Sequence, residues 1–267
     1  MKPTSIVVDA PICIGNWCPQ NYARHYGGSM TLTSALTHSI NTVAVRLSIT
    51  IGKGNPKIGR AKIVETAKKM GLRTPLPDTP SLPIGADEVT VLDHTAAYAT
   101  FPNLGKAVAP HAVLEVRSPN GQVVWRFDRD GKKPEQAISK EVALQMIFMM
   151  NKVVEEGTGK RAILDGVRAA GKTGTTNDFT DAWFVGFSPS MTCGVWMGFD
   201  EKKTLGPKET GAQAALPIWM DFMKVALTGH ENEQFTPPTT LPPRNNTAVA
   251  QKEDTPEVKA GEDTEAH

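Results

Sequence analysis

Seven residues, Ala170-Gly171-Lys172-Thr173-Gly174-Thr175-Thr176, put one ammonium, three hydroxyls and two glycines side by side. Two chemistries use such a set. Laid along a strand edge, Lys172-Thr173-Gly174 supplies a positive charge, a hydroxyl that donates and accepts, and a backbone that a substrate can approach closely. That is a surface for acyl transfer. Counted back to Gly166, the same Lys172-Thr173 completes G-x-x-x-x-G-K-[ST], a loop that cradles phosphates. Taken alone, Lys172-Thr173-Gly174 is a weak signal, and Lys172 reads first as a solvated strand lysine beside a Gly-Thr turn.

The flanks separate the two chemistries. A phosphate loop needs a buried strand ending at its first glycine and a helix starting at its lysine, because the helix end aims backbone N–H groups at the anion. Before Gly166 stands only Ala162-Ile163-Leu164-Asp165, short and close to the Gly157-Thr158-Gly159 break. After Lys172 come Gly174, Thr175, Thr176, Asn177 and Asp178, which resist helix formation. Trp183 to Gly186 then reads as an apolar strand. The predicted order is strand, turn, strand, with Lys172 on the first strand.

A second short motif lies far upstream. Ser39-Ile40-Asn41 sits between Leu32–His38 and Thr42–Leu47, two stretches with apolar residues at helical spacing. Serine and asparagine favour helix ends, where their side chains project. The plain role for Ser39 and Asn41 is to cap the second helix. The richer role is to present a hydroxyl and an amide to the Lys172 strand.

The two motifs together resemble the second and third motifs of the penicillin-recognising enzymes. Ser34 to Leu47 is similar to the segment around the second motif in bifunctional class A penicillin-binding proteins. So are Leu82 to Thr90, Ala96 to Ala99, Glu156-Gly157-Thr158-Gly159, and Glu209 to Trp219. The likeness keeps its order from about residue 3 to residue 227. It implies an α+β fold of the penicillin-binding protein and β-lactamase type: a five-stranded antiparallel sheet sandwiched by helices, with the site between them.

The implied activity is D,D-transpeptidation in peptidoglycan synthesis, by acyl transfer through a serine acyl-enzyme. In that scheme Ser39 relays a proton, and Asn41 binds the acyl-side amide and holds the lysine of the first motif. Lys172 keeps the site positive. The hydroxyl of Thr173 or Thr175 takes the substrate carboxylate, Gly174 leaves room for it, and the Thr175 N–H is one oxyanion donor. The implied partners are peptidoglycan stem peptides and β-lactams, with no cofactor and no metal. The implied place is the periplasmic side of the bacterial inner membrane.

One motif is not there. The family's nucleophile belongs to Ser-x-x-Lys at the start of a helix, and no serine of the 267 residues has lysine three positions on. Thr50 and Thr66 do, before Lys53 and Lys69, but both follow the second motif and read as surface threonines. Met1 to Ile12 resembles the stretch just after the nucleophile helix. The expectation is therefore a transpeptidase domain over 1–228 that lacks this helix, is inactive alone, and is complemented by an N-terminal portion of the same protein. Two other classes stay open: a non-catalytic binding protein that keeps the fold, and a nucleotide hydrolase built on Gly166, Lys172 and Thr173.

Composition agrees with a globular body. A net charge of +1 argues against nucleic acid as the main partner. It hides an asymmetry, since from Glu231 onward there are 8 acidic and 3 basic residues. With Thr236-Pro237-Pro238-Thr239-Thr240-Leu241-Pro242-Pro243 included, 229–267 reads as a disordered acidic tail. No apolar run approaches the roughly 20 residues of a membrane helix, and no signal pattern opens the chain. The histidines lack metal spacing. Cys193 reads as a buried free thiol, and a Cys13–Cys18 bridge stays open for an oxidising compartment.

The remaining elements follow from local signals. Thr90 and Ser139 are predicted helix caps. Val113 to Phe127 reads as a hairpin around Ser118-Pro119-Asn120-Gly121, with Leu114 and Val116 on its buried face. The helix after Ser139 carries an apolar stripe of Val142, Met146, Met149 and Val153 with Ala143, Ile147 and Met150. A last helix, Ile218 to Leu227, turns Trp219, Phe222 and Met223 to the core. Because no serine here has its activating lysine, the 267 residues incubated with penicillin should show no covalent adduct by intact mass spectrometry. A stoichiometric acyl-serine would contradict that reading.

Overall fold

The structure is a computed structural model that describes residues 1–164 and 166–239. Ile6–Asp9 (β1) and Gly28–Thr31 (β2) pair antiparallel, with Asp9 opposite Gly28. The loop between them contains a Cys13–Cys18 disulfide, so the bridge left open by the sequence is formed. Thr31 ends β2 and caps Leu32–Thr37 (α1), its hydroxyl accepting from the Ser34 N–H at 3.1 Å. Asn41–Ile51 (α2) and Pro56–Lys69 (α3) follow. The start of α3 combines an Asn55 cap with proline in its first turn, where the missing N–H costs nothing.

Val91–Ala99 (α4) begins at the predicted Thr90 cap, which accepts from the Asp93 N–H. Glu115–Arg117 (β3) and Val123–Arg126 (β4) form the predicted hairpin, followed by the single turn Phe127–Asp130 (α5). Ser139 caps Lys140–Glu156 (α6) through the Val142 N–H. Ala170–Thr175 (β5), Asp181–Phe187 (β6) and Thr192–Gly198 (β7) make an antiparallel sheet in that order, and Ala215–Ala226 (α7) closes the described helices.

Alternation along β6 shows why the sheet is sandwiched. Phe184 points to α7, where it meets Trp219 edge-on at 5.0 Å beside Leu216 and Met223. Phe187, three positions on and of opposite parity, joins Phe101, Leu144, Ile147 and Met150 on the other face. Each face of the strand is thus a separate core. The Trp219 indole also donates to the Cys193 carbonyl at 3.2 Å, which satisfies its one polar atom. Cys193 is free and half-buried, and burial pushes its thiol pKa up.

Several expectations are corrected. The main sheet holds three strands among the described residues rather than five, with β1–β2 and β3–β4 as separate pairs. Leu114 and Val116 are 70% and 44% exposed, because a two-stranded hairpin with no layer on it has no inside. Val142 is exposed and Met146 half-buried, while the rest of the expected α6 stripe, Met149 and Val153 with Ala143, Ile147 and Met150, is buried and is joined by Leu144 and Val154. Phe222 is also exposed, while Ala215, Leu216, Trp219 and Met223 are buried.

The chain after Thr228 does not leave the body at once. The Phe235 ring packs on Phe187 at 5.8 Å, and Thr239 donates its N–H and its hydroxyl to Glu141. The rest of the predicted acidic tail, 240–267, lies outside the described residues.

Asp9 ties the first strands to the start of α2. It is 2% exposed, and its carboxylate accepts from Thr42 Oγ1 at 2.5 Å, Asn21 Nδ2 at 2.8 Å and the Gly27 N–H at 2.7 Å. Burial acts to raise the Asp9 pKa, but the bonds from Thr42, Gly27 and Asn21, with the charge of His25, outweigh it and hold the carboxyl below its usual range. A depressed carboxyl stabilises the fold above its unfolded pKa and loses that contribution as pH falls through the folded value. Thermal unfolding of Asp9→Asn should therefore show a lower midpoint at pH 7 and a shallower acid decline below about pH 4 than the parent. Parallel curves for the two proteins would remove Asp9 from this role.

Candidate active site

The predicted site residues come from two segments that the fold brings together. Lys172 lies in the middle of β5, and its Nζ donates to Ser39 Oγ at 2.8 Å and to the Thr173 carbonyl at 3.0 Å. No helix follows it. A short 3-10 turn at Asn177–Phe179 leads into β6, so the phosphate loop has no helix end to offer an anion. The ammonium is withdrawn from water, and that desolvation alone pulls its pKa down to about 8. A group with that value exchanges its proton readily near neutral pH.

Ser39 reaches Lys172 through a helix ending of defined geometry. The Ile40 N–H bonds the Ala35 carbonyl at 2.9 Å and the Ser39 N–H bonds the Leu36 carbonyl at 3.1 Å. This is the Schellman pattern, in which the residue after the cap takes the left-handed conformation that glycine favours. Ser39 takes it with φ at 56°. A serine there is strained by about 1–2 kcal/mol. What the strain obtains is a hydroxyl in a spot that glycine could not supply. Ser39 therefore does not cap α2; the cap position is Ile40, and Asn21 Oδ1 accepts from the Thr42 N–H at 3.3 Å.

Asn41, the first residue of α2, points elsewhere. Its amide nitrogen donates to the Gln20 carbonyl at 2.9 Å, which leaves the side-chain oxygen as the end open to a ligand. Thr175 Oγ1 accepts from the Gly211 N–H at 3.1 Å, so its remaining proton is the one free to be donated. Gly211 has no room for a side chain: a Cβ would lie 2.2 Å from the Trp183 carbonyl oxygen and 2.5 Å from that of Gly174. At Gly174 an added Cβ would crowd the Trp183 Cβ at 3.1 Å. The neighbouring strand thus gives a reason for that glycine besides substrate access.

Sequence reasoning quoted Thr158 but gave it no task. Its hydroxyl lies 2.8 Å from that of Thr173, and its N–H donates to the Thr37 carbonyl at 3.3 Å. Gly157 beside it presses on the same carbonyl, where a Cβ would stand at 2.2 Å. The end of α6 therefore locks the end of α1 to β5 beside the Lys172–Ser39 contact, through Thr37 two residues before Ser39 and Thr173 next to Lys172. The signal for this was the Gly-Thr-Gly break, which marks a turn but not what the turn touches.

The strain at Ser39 is directly measurable. Ser39→Gly and Ser39→Ala both remove the hydroxyl, and only alanine keeps the left-handed penalty. Chemical denaturation should find the glycine variant more stable than the alanine variant by about 1 kcal/mol. Equal stabilities would mean that position 39 is not strained.

Known proteins share this sequence and fold. The penicillin binding protein transpeptidase domain family matches residues 2–224. Penicillin-binding protein 1A of Aquifex aeolicus is 43% identical over 231 residues, covering 86% of this chain and 30% of the relative. The protein of the same name in Neisseria gonorrhoeae is 34% identical over 249 residues, covering 89% and 30%. The chain thus spans about 30% of the length of these curated relatives. Among solved structures, the penicillin-binding protein PonA1 from Mycobacterium tuberculosis superposes with a TM-score of 0.78 at 26% identity, covering 94% of this chain and 72% of that one. Penicillin-binding protein 1A from Haemophilus influenzae gives 0.76 at 25% identity, covering 90% and 41%. The fold is the α+β transpeptidase fold, and with the family's match running through every segment that carries Lys172 to Ser39, the chain belongs to the penicillin-binding protein transpeptidase domain family.

Proposed function

We propose that the chain forms the proton-handling and substrate-holding wall of a D,D-transpeptidase that cross-links peptidoglycan. The observation that carries this reading is the 2.8 Å bond from Lys172 Nζ to Ser39 Oγ, made across 133 positions of sequence. A hydroxyl held by an ammonium whose pKa is about 8 suits a proton relay: the lysine donates to the serine oxygen, and the serine proton is free for a leaving or attacking nitrogen.

The substrate's terminal carboxylate would meet the hydroxyls of Thr173 and Thr175 in the field of Lys172. The carbonyl oxygen of Asn41 would accept from the acyl-side amide. Strand β5 is an edge of its sheet, so alternate backbone groups face away from β6, and the Thr175 N–H is the proposed oxyanion donor. The acyl-enzyme itself needs a Ser-x-x-Lys, which these 267 residues do not contain. We assign that motif to a further portion of the same protein. β-Lactams would compete for the same wall; a solved PonA1 structure with a TM-score of 0.77 is a complex with penicillin V. The working place would be the periplasmic side of the inner membrane. The absent motif also favours a second reading, a binding domain that holds stem peptides without turning them over.

The test joins the chain to a segment supplying Ser-x-x-Lys and follows labelling by a fluorescent penicillin. Labelling should appear in the joined protein, and Lys172→Ala should slow it about 100- to 1,000-fold with the fold intact, the usual loss on removing one preorganised electrostatic donor. Near-normal labelling of the Lys172 variant would overturn the assignment. Binding of stem peptide with no labelling in any joined protein would select the binding-domain reading.

A further inference from the structure

A cleft of about 750 Å³ opens where the C-terminal end of α3, the loop after α4, the turn α5 and the β6–β7 turn meet. It shares no residue with the Lys172 site, and its volume lies in the range of small-ligand sites. Five cations and one carboxylate line it. Three of those cations are already paired: Lys69 with Glu65, Arg73 with Asp93, and Lys132 with Glu135. The other two are not. Lys133 donates to the Asp128 carbonyl at 2.7 Å and stands in the field of Asp130 without forming an ion pair among the described residues, and Lys68 has no acidic partner among them.

The same cleft is lined by an aromatic pair and by prolines. The exposed His111 ring lies on the Phe127 ring, with centroids 3.3 Å apart and planes 12° from parallel. Pro102, Pro110, Pro134 and Pro189 contribute stiff walls. An aromatic face is electron-rich and takes the C–H edges of a ring laid over it. Ammonium groups lining the same cleft pair with acidic substituents on such a ring. A simple anion would use the lysines and leave the aromatic face idle. A neutral sugar would do the reverse.

We propose that this cleft binds an acidic oligosaccharide, a carbohydrate chain carrying carboxylate or phosphate groups. The site stands on its own residues and does not depend on the transpeptidase reading. Isothermal titration calorimetry on the 267-residue chain tests it with galacturonate tetrasaccharide, a phosphorylated chitotetraose, neutral chitotetraose, pentaglutamate and inorganic pyrophosphate.

At least one acidic oligosaccharide should bind, more weakly as salt rises, and the tighter of the two identifies the acid. Lys68→Gln with Lys133→Gln should weaken it about tenfold. His111→Ala should weaken it severalfold without changing the salt dependence. Both lysines are exposed, so a melting curve that matches the parent separates loss of binding from loss of fold. Neutral chitotetraose, pentaglutamate or pyrophosphate binding as tightly would overturn the proposal, the second by making this a peptide site and the third a plain anion site. Full affinity in the lysine double variant would overturn it as well, and so would no binding by either acidic oligosaccharide.

Discussion

The bond between Lys172 and Ser39 sets conditions that the rest of the fold has to meet. One partner sits on a strand and the other on a helix ending, so no local structure makes the contact. Strand β5 must lie at a sheet edge, since a further strand would cover the surface beside Lys172. Helix α1 must end in a left-handed residue to turn the Ser39 hydroxyl toward it. Helix α6 must pack on both, and its last turn must be small enough to touch. Gly157 meets that final demand: it lies against the Thr37 carbonyl with no space for a side chain.

Both partners are held against their own preferences. Ser39 occupies a conformation that glycine adopts freely, and the Lys172 ammonium is drawn out of water far enough to bring its pKa to about 8. Each is a local cost that surrounding structure has to offset. The offset is placed close by. Phe184 and Phe187, on the strand paired with β5, are both fully buried, one against Trp219 and the other against the α6 face. The two cores clamp the sheet from opposite sides, and the strained pair sits at its edge. Local strain of this kind is a common pattern where function needs unusual conformations.

What was legible in the sequence was local or carried by the family likeness. Thr90 and Ser139 could be named as caps because a cap is a contact over three residues. The strand–turn–strand reading of 170–187 rested on residues that resist helix formation, and it held. What failed needed knowledge of the next layer. Leu114 and Val116 alternate as a buried face would, but β3–β4 has nothing stacked on that face. Phe222 lies one position from Met223, and only the placement of α7 against β6 decides which of the two is covered. Thr158 looked like part of a glycine turn because its partners, Thr37 and Thr173, stand far from it in sequence.

An open strand edge is ordinarily a liability, because its free backbone groups pair with other chains. The proposed function needs that edge open, and the side chains along β5 are pinned beside it. Thr158 holds the Thr173 hydroxyl on one side, and the Gly211 N–H holds the Thr175 hydroxyl on the other. The span left between the two holds is Gly174. Its missing side chain clears Trp183 on the adjacent strand, so the backbone there can stay flat between two pinned neighbours. The two holds leave each threonine with hydrogen-bonding capacity to spare, since a hydroxyl both donates and accepts. A strand partner would have protected the edge more completely and removed the place where a peptide could lie.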